Sequence, residues 1–299
     1  MRFVTFRAST GAAVAGVLIG ERVADLSHAS CRALLGGTPP TLQALLDDGL
    51  ASWVQRLADA RFDRDALRPL ADVALLAPLP RPGKIVGAAF NFTDALAERG
   101  MAPPREPVTF VRSGRTVIGP GEAILVPPDV GHVGYEAELA AVIGRRALRV
   151  SRDEAMRCVA GYVAHNDVSG SSLVKVDGGN FVRGKNLPAS APLGPWLLSA
   201  DALPDPHGVR IRLDIDGRTL QDGSTASMLF GIAELIAFIS QRMPLEPGDV
   251  IATGTPAGVA AMHAPPAWLQ PGQTVTVEVE GLGRLTNPVR RGEPFLEPR

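Results

Sequence analysis

The sequence predicts an α+β fold that is rich in β-structure, and three observations predict it. Beyond residue 80 the chain breaks into many short apolar runs separated by glycine and proline. Its 32 glycines and 26 prolines make up about a fifth of the 299 residues, against roughly 12 % in average usage, and they show no fixed period of the collagen kind. Few stretches carry apolar residues at helical spacing. A hydrophobic fraction of 45 % with 20 % charged residues excludes a disordered chain, and the length allows roughly two domains with a large core.

Taken in order, Arg2–Ala8 and Ala13–Ile19 read as a hairpin around Ser9-Thr10-Gly11, with Phe3, Val4 and Phe6 supplying strand propensity. Thr41–Asp48 and Ser52–Arg61 carry Leu42, Leu45 and Leu46, then Val54 and Leu57, at helical spacing. The proline-dense segment Ala77-Pro-Leu-Pro-Arg-Pro-Gly83 interrupts helices and ladders alike, and divides a small N-terminal α+β domain (1–80) from a larger one (81–299). The second domain holds the short runs Lys84–Ala88, Val108–Arg112, Ala123–Val126, Tyr135–Ile143, Tyr162–Val168, Val209–Ile215, Val250–Thr253 and Val275–Val279. Two helices interrupt it. One opens on a capping box, Ser151 with Glu154, and is expected to stop at Gly161; the other spans Ala226–Met243 before Pro244.

Charge and cysteine usage exclude several functions. Thirty basic against 31 acidic residues leave no basic field, which argues against nucleic acid or an anionic membrane as partner. Cys31 and Cys158 stand in no metal-ligating or redox spacing and read as buried thiols of a reducing compartment. The apolar run Gly11–Gly20 is too short to span a bilayer and no cleavage site follows it, so a cytoplasmic location is expected.

The chemistry is concentrated in a few segments. In Tyr135-Glu-Ala-Glu-Leu-Ala-Ala-Val-Ile143, a period of two puts Glu136, Glu138, Ala140 and Val142 on one face, and the other face is apolar too. Such a strand is buried, where two neighbouring carboxylates are costly unless they share a cation; Mg²⁺, Mn²⁺ or Ca²⁺ suits oxygen donors. An edge strand with both glutamates in water is the alternative. Gly161–Val168 ends in Asn166-Asp167, which offers either a third metal ligand or an ordinary Asx-turn. Arg183-Gly-Lys185 reads as a loop whose lysine neutralises the acids or holds a substrate oxyanion, or else as a solvated surface loop. Strand parity puts His165 on the face of Asp167, as a group near the metal or as hydrogen-bonded scaffold.

In order and spacing, Lys84–Asp94, Ile118–Gly121, Tyr135–Glu138, Gly161–Ser169, Arg183–Lys185, Pro192–Trp196 and Pro247–Val259 resemble the fumarylacetoacetate hydrolase family over about residues 80–290. The resemblance implies a mixed β-sandwich roll with a small N-terminal domain, a catalytic domain over 81–299, and a homodimer. It implies a Mg²⁺ or Mn²⁺ site held by Glu136, Glu138 and Asp167, and a 2-oxo or 2,4-dioxo acid substrate chelated through its carboxylate and keto oxygen. Lys185 matches the family's substrate-holding lysine, and Thr253-Gly254-Thr255 the turn that contacts substrate. Arg112 stands where a lysine is usual and is expected at the substrate as well.

One departure bears on the reaction. Hydrolytic members use a His–Glu dyad to activate water; here the segment reads Asn91-Phe-Thr-Asp-Ala-Leu-Ala-Glu98, with Ala95 at the histidine position. Glu98, on a helix expected to close over the site, is left as the acid–base candidate, with Lys185 and His165 beside it. Family usage puts C–C hydrolysis of an acylpyruvate-like acid first. The missing histidine favours decarboxylation, tautomerisation or dehydration, and a catalytically weak metal- and ligand-binding homologue is a further alternative.

Overall fold

The computed structural model describes residues 1–295; residues 296–299 of the expected second domain lie outside the described residues. A twelve-stranded sheet dominates. Its order is Leu67–Pro69, Arg22–Asp25, Ala13–Ile19, Arg2–Arg7, Ala191–Ser199, Val159–Asn166, Ala137–Ile143, Val250–Ala252, Lys84–Ala89 and Val108–Ser113, with Leu75–Leu76 and Val117–Ile118 as side pairings. A five-stranded sheet runs Arg218–Ser224, Arg210–Ile215, Thr274–Val279, Gly283–Arg291 and Ile124–Val126. The fold is the expected β-rich mixed roll. The N-terminal hairpin forms in register from Arg2↔Leu18 to Arg7↔Ala13, and continues the large sheet through Arg2↔Leu198 and Phe3↔Leu197.

Ala137–Ile143 is buried along its whole length, and its two faces join two cores. Leu139, Ala141 and Ile143 pack with Ile211, Leu213, Val275 and Val277 of the smaller sheet and with Leu235 and Ile236 of the helix Ile232–Ser240. Ala140 and Val142 pack with Val163, Leu193 and Val250, and with Leu42, Leu45 and Trp53 of the N-terminal helices Leu42–Asp47 and Leu50–Ala58. This alternation is the period-two pattern of a strand covered on both sides.

The helices differ from expectation in ways the packing explains. The stretch 226–243 gives a 3₁₀ turn at Thr225–Ser227 and a helix only over Ile232–Ser240. Asn91 holds the intervening segment, accepting from Leu229 N at 2.7 Å and Phe230 N at 2.9 Å, and Glu234 caps the helix by accepting from Gly231 N at 3.1 Å. The Ser151–Glu154 capping box forms, but its helix is a single turn, Arg152–Ala155. Gly161 does not stop it. It lies within Val159–Asn166, where a Cβ would collide with the Leu198 carbonyl of the neighbouring strand. Three short helices, Thr93–Glu98, Ser171–Val176 and Phe181–Lys185, carry no pattern long enough to show in the sequence.

Candidate active site

The antiparallel register places Glu138 directly opposite His165 and Ala137 opposite Asn166. The strand Ala137–Ile143 begins one residue after Glu136, and the Asn166 side chain secures that junction by accepting from Glu136 N at 3.1 Å. Asp167, one residue beyond its own strand, donates its N–H to the Glu136 carbonyl at 2.9 Å. Glu136, Glu138 and Asp167 thereby offer carboxylate oxygens that all lie within 4.8 Å of one another. Burial pushes the Glu136 carboxyl up, although Lys185 opposes it. Glu138 is pushed well above its ordinary range by burial, with Asp167 and Glu136 adding to the shift. Its Oε2 is buried and has no hydrogen-bond partner. An all-oxygen cluster with an orphaned carboxylate oxygen fits a divalent metal ion, which would satisfy that oxygen and lift the mutual repulsion.

Lys185 closes the cluster. It stands not in a loop but on the helix Phe181–Lys185, capped where Asn180 Oδ1 accepts from Val182 N at 2.9 Å. Gly184 lets this helix lie against Val174 and the Gly170 carbonyl, where a Cβ would not fit. Lys185 Nζ donates to Glu136 Oε2 at 2.6 Å and to a carboxylate oxygen of Asp167, and sits 5.3 Å from the Phe110 ring centre. Burial works against its charge, but Asp167 and Glu136 outweigh that and raise its pKa. Arg183 turns outward and pairs with Asp177 at 2.7 Å.

Arg112 lies elsewhere than expected, whereas His165 stands beside Asp167 as hydrogen-bonded scaffold. Arg112 is wholly buried beneath Asp167, paired with that carboxylate and donating to the carbonyl and hydroxyl of Ser190 at 2.7 Å each. It does not reach the cavity; it holds the ligand set from behind. Burial alone would raise the Asp167 carboxyl, but Lys185 and Arg112 together hold it below the usual carboxylate range. His165 is also fully buried. Its Nδ1 donates to the Pro192 carbonyl at 2.8 Å, and its Nε2, 3.9 Å from Asp167 Oδ1, has no hydrogen bond. Burial pulls the His165 pKa down to about 4, so the ring is neutral at pH 7.

The turn after Val250–Ala252 meets the same strand. Thr253 Oγ1 donates to the Leu139 carbonyl at 2.7 Å, and Thr255 Oγ1 donates to the Ala137 carbonyl at 2.8 Å while accepting from Gln221 Nε2 at 2.8 Å. Thr253 therefore fixes the turn from within. Gly254 and Thr255 line the cavity instead. Gly254 takes φ 92°, and a Cβ there would stand 2.8 Å from the Ala88 carbonyl; its N–H favours the ionised form of Glu138.

The cavity, about 60 Å³, is lined by Glu136 and Lys185, by Phe90, Phe110 and Phe181, and by Asn91 and Thr255. Ala95 and Arg99 face it from the helix Thr93–Glu98 and its C-terminal residue. Glu98 does not. It is exposed, and its Oε2 accepts from Gly258 N at 3.0 Å. The sequence reading missed Arg99, although it lies four residues beyond Ala95 and so on the same helix face.

Residues 84–290 match the fumarylacetoacetate (FAA) hydrolase C-terminal domain, and the chain belongs to that family, whose members are enzymes. A human mitochondrial oxaloacetate tautomerase is 35 % identical over 254 residues, covering 84 % of this chain and 80 % of its own. Among solved structures, a fumarylacetoacetate hydrolase from Exiguobacterium antarcticum superposes with a TM-score of 0.81 at 32 % identity, over 98 % of this chain and all of its own. A 5-carboxymethyl-2-hydroxymuconate delta-isomerase from Mycobacterium smegmatis gives a TM-score of 0.76 at 31 % identity, over 98 % and 99 %. Among the described residues no helix is long and apolar enough to cross a membrane.

Proposed function

We propose that the protein is a Mg²⁺- or Mn²⁺-dependent enzyme that interconverts the enol and keto forms of a short 2-oxo acid. The observation that carries this reading is the side of the cavity where the family's hydrolytic members have their histidine. Ala95 stands there and Glu98 is engaged by Gly258 N–H, so neither offers a base to a water molecule inside the cavity. Enol–keto exchange needs no such water. It needs an electron sink and one proton carrier. The human relative named as an oxaloacetate tautomerase supports this choice over C–C hydrolysis.

Glu136, Glu138 and Asp167 would hold the metal, which supplies Lewis-acid polarisation of the 2-keto oxygen. Lys185 is protonated at neutral pH and donates from Nζ. In the ketonising direction the enol O–H proton leaves to solvent, Nζ gives a proton to C3, and the amine regains one from solvent. Arg112 keeps Asp167 ionised and oriented, and the Thr253–Thr255 turn fixes the cavity wall through its bonds to Ala137 and Leu139. Phe90, Phe110 and Phe181 limit water around the reacting carbon. A homodimer belongs to this reading through the family resemblance alone.

The test follows enol absorbance of oxaloacetate, CO₂ release and acylpyruvate cleavage in parallel, with and without Mg²⁺ or Mn²⁺. Metal-dependent loss of enol absorbance without CO₂, abolished in Lys185→Met, is expected. Faster cleavage of acylpyruvates than ketonisation of oxaloacetate would sink the proposal in favour of hydrolysis, and CO₂ release at the same rate would replace it with decarboxylation.

A further inference from the structure

We propose that Gln221 is a positioning residue of the metal site, a buried carboxamide that holds the glutamate-bearing strand and the turn beside the cavity in fixed relation. The proposal rests on the reading of Glu136, Glu138 and Asp167 as metal ligands, and adds a side chain from outside the sheet that carries them. Gln221 lies on Arg218–Ser224, the edge strand of the smaller sheet, and is 1 % exposed. This strand carries an extra residue, Leu220, because Leu213 pairs with Gln221 and Asp214 with Thr219. Such a bulge re-aims the side chains beside it. Gly258 takes φ 93°, and a Cβ there would stand 2.2 Å from the Leu220 carbonyl, so the turn closes onto the bulge only with glycine at that position.

The carboxamide fills a gap in the backbone ladder. Val250–Ala252 pairs with Ala140–Val142, and the same register continued would set Thr255 opposite Ala137. The strand ends at Ala252, and side chains take up both backbone groups of Ala137 instead. Gln221 Oε1 accepts from Ala137 N at 2.9 Å, and Thr255 Oγ1 donates to the Ala137 carbonyl at 2.8 Å. Gln221 Nε2 donates in turn to Thr255 Oγ1 at 2.8 Å and to the Pro256 carbonyl at 2.9 Å. Ala137 stands between Glu136 and Glu138, and Gly254, whose N–H favours the ionised form of Glu138, directly precedes Thr255. Both glutamates and a donor to one of them are thus tied through one side chain. Gln221 is not among the residues that line the cavity, so it acts through these contacts and not on a ligand. The job needs an acceptor, two donors and this length together: glutamate in its ionised form lacks the donors, and asparagine is one carbon short. Groups that hold metal ligands in place from behind contribute to affinity without touching the ion.

The experiment measures Mg²⁺ affinity of the metal-free protein by calorimetry and the electron paramagnetic resonance line shape of bound Mn²⁺, with urea unfolding in parallel. Gln221→Met keeps the volume and loses every hydrogen bond. Gln221→Asn keeps the carboxamide but cannot reach Ala137 and the turn together. Each variant is expected to weaken Mg²⁺ binding by the folded protein about tenfold to a hundredfold and to change the Mn²⁺ line shape. If both variants bind Mg²⁺ as the wild type does, with an unchanged line shape, the positioning role is overturned, whether or not they unfold at lower urea. A loss in Gln221→Met with none in Gln221→Asn would reduce the requirement to a buried polar group and overturn the bridge. Should Gln221→Met fail to fold, Gln221→Asn decides alone. A wild type that binds neither Mg²⁺ nor Mn²⁺ would instead sink the metal-site reading, and the role of Gln221 with it.

Discussion

Glu136, Glu138 and Asp167 stand at the ends of two of the most buried strands, cross-linked by Lys185 and backed by Arg112. Ala95 stands on, and Arg99 directly after, a helix of six residues whose own acids are turned to the 257–258 turn. The first region is set by sheet register and by charges that cannot be moved singly. The second contributes side chains that can change without disturbing the sheet. In the proposed enzyme, chelation and the choice of reaction would thus be carried by separable parts of the molecule, and a substitution in either part tests that separation.

The largest effect belongs to the carboxylates, and they should respond unequally. Asp167→Asn leaves Arg112 and Lys185 buried without their main counter-charge, and is expected to destabilise the metal-free protein by about 3–5 kcal/mol in urea unfolding. Glu138→Gln removes a buried carboxylate that has an orphaned oxygen and two acidic neighbours, and should leave the metal-free protein as stable or more stable. The sign with pH follows from the raised Glu138 value. The folded state binds more protons than the unfolded one from the ordinary carboxylate range upward, so metal-free stability declines as pH rises through that window. Glu138→Gln should flatten this decline. Both variants should lose Mg²⁺ binding in calorimetry, and a Glu138→Gln protein that binds Mg²⁺ normally would remove Glu138 from the ligand set.

The next effect probes the helix. Ala95→His restores the residue that the hydrolytic members carry, in a position that lines the cavity. A positioned base contributes roughly 10²–10⁴-fold in general, and a gain of about 10² in acylpyruvate cleavage is expected, together with a severalfold drop in oxaloacetate ketonisation as the imidazole takes up space. No gain in cleavage would show that the reaction is decided elsewhere than at this helix.

Much of the first region was legible in the sequence, and little of the second. Glu136, Glu138 and Asp167 stood out because a strand apolar on both faces leaves carboxylates no ordinary explanation. Arg112 did not reveal its place, since nothing in Phe110-Val-Arg-Ser113 indicates that its side chain turns inward to meet an acid 55 residues later. Thr253 looked like a substrate contact, but the pairing of Val250–Ala252 with Ala140–Val142 aims its hydroxyl at the Leu139 carbonyl. Arg99 was hidden because six residues of helix give too short a period to define a face.

The smallest effect is expected at Glu98, the acid that the family pattern would nominate first. Without a histidine at position 95 it has no imidazole to orient, and its carboxylate faces away from the cavity to accept from the Gly258 amide. Gln keeps an oxygen for that amide and loses only the charge. Glu98→Gln should therefore change kcat for oxaloacetate ketonisation less than threefold, with unchanged Mg²⁺ binding. The same substitution introduced together with Ala95→His should abolish the acylpyruvate cleavage gained by the single variant, because only then does the carboxylate have a base to hold in place. A loss of more than tenfold in the single Glu98→Gln protein would put Glu98 at the reacting carbon, and would join the helix and the acidic cluster into one catalytic unit.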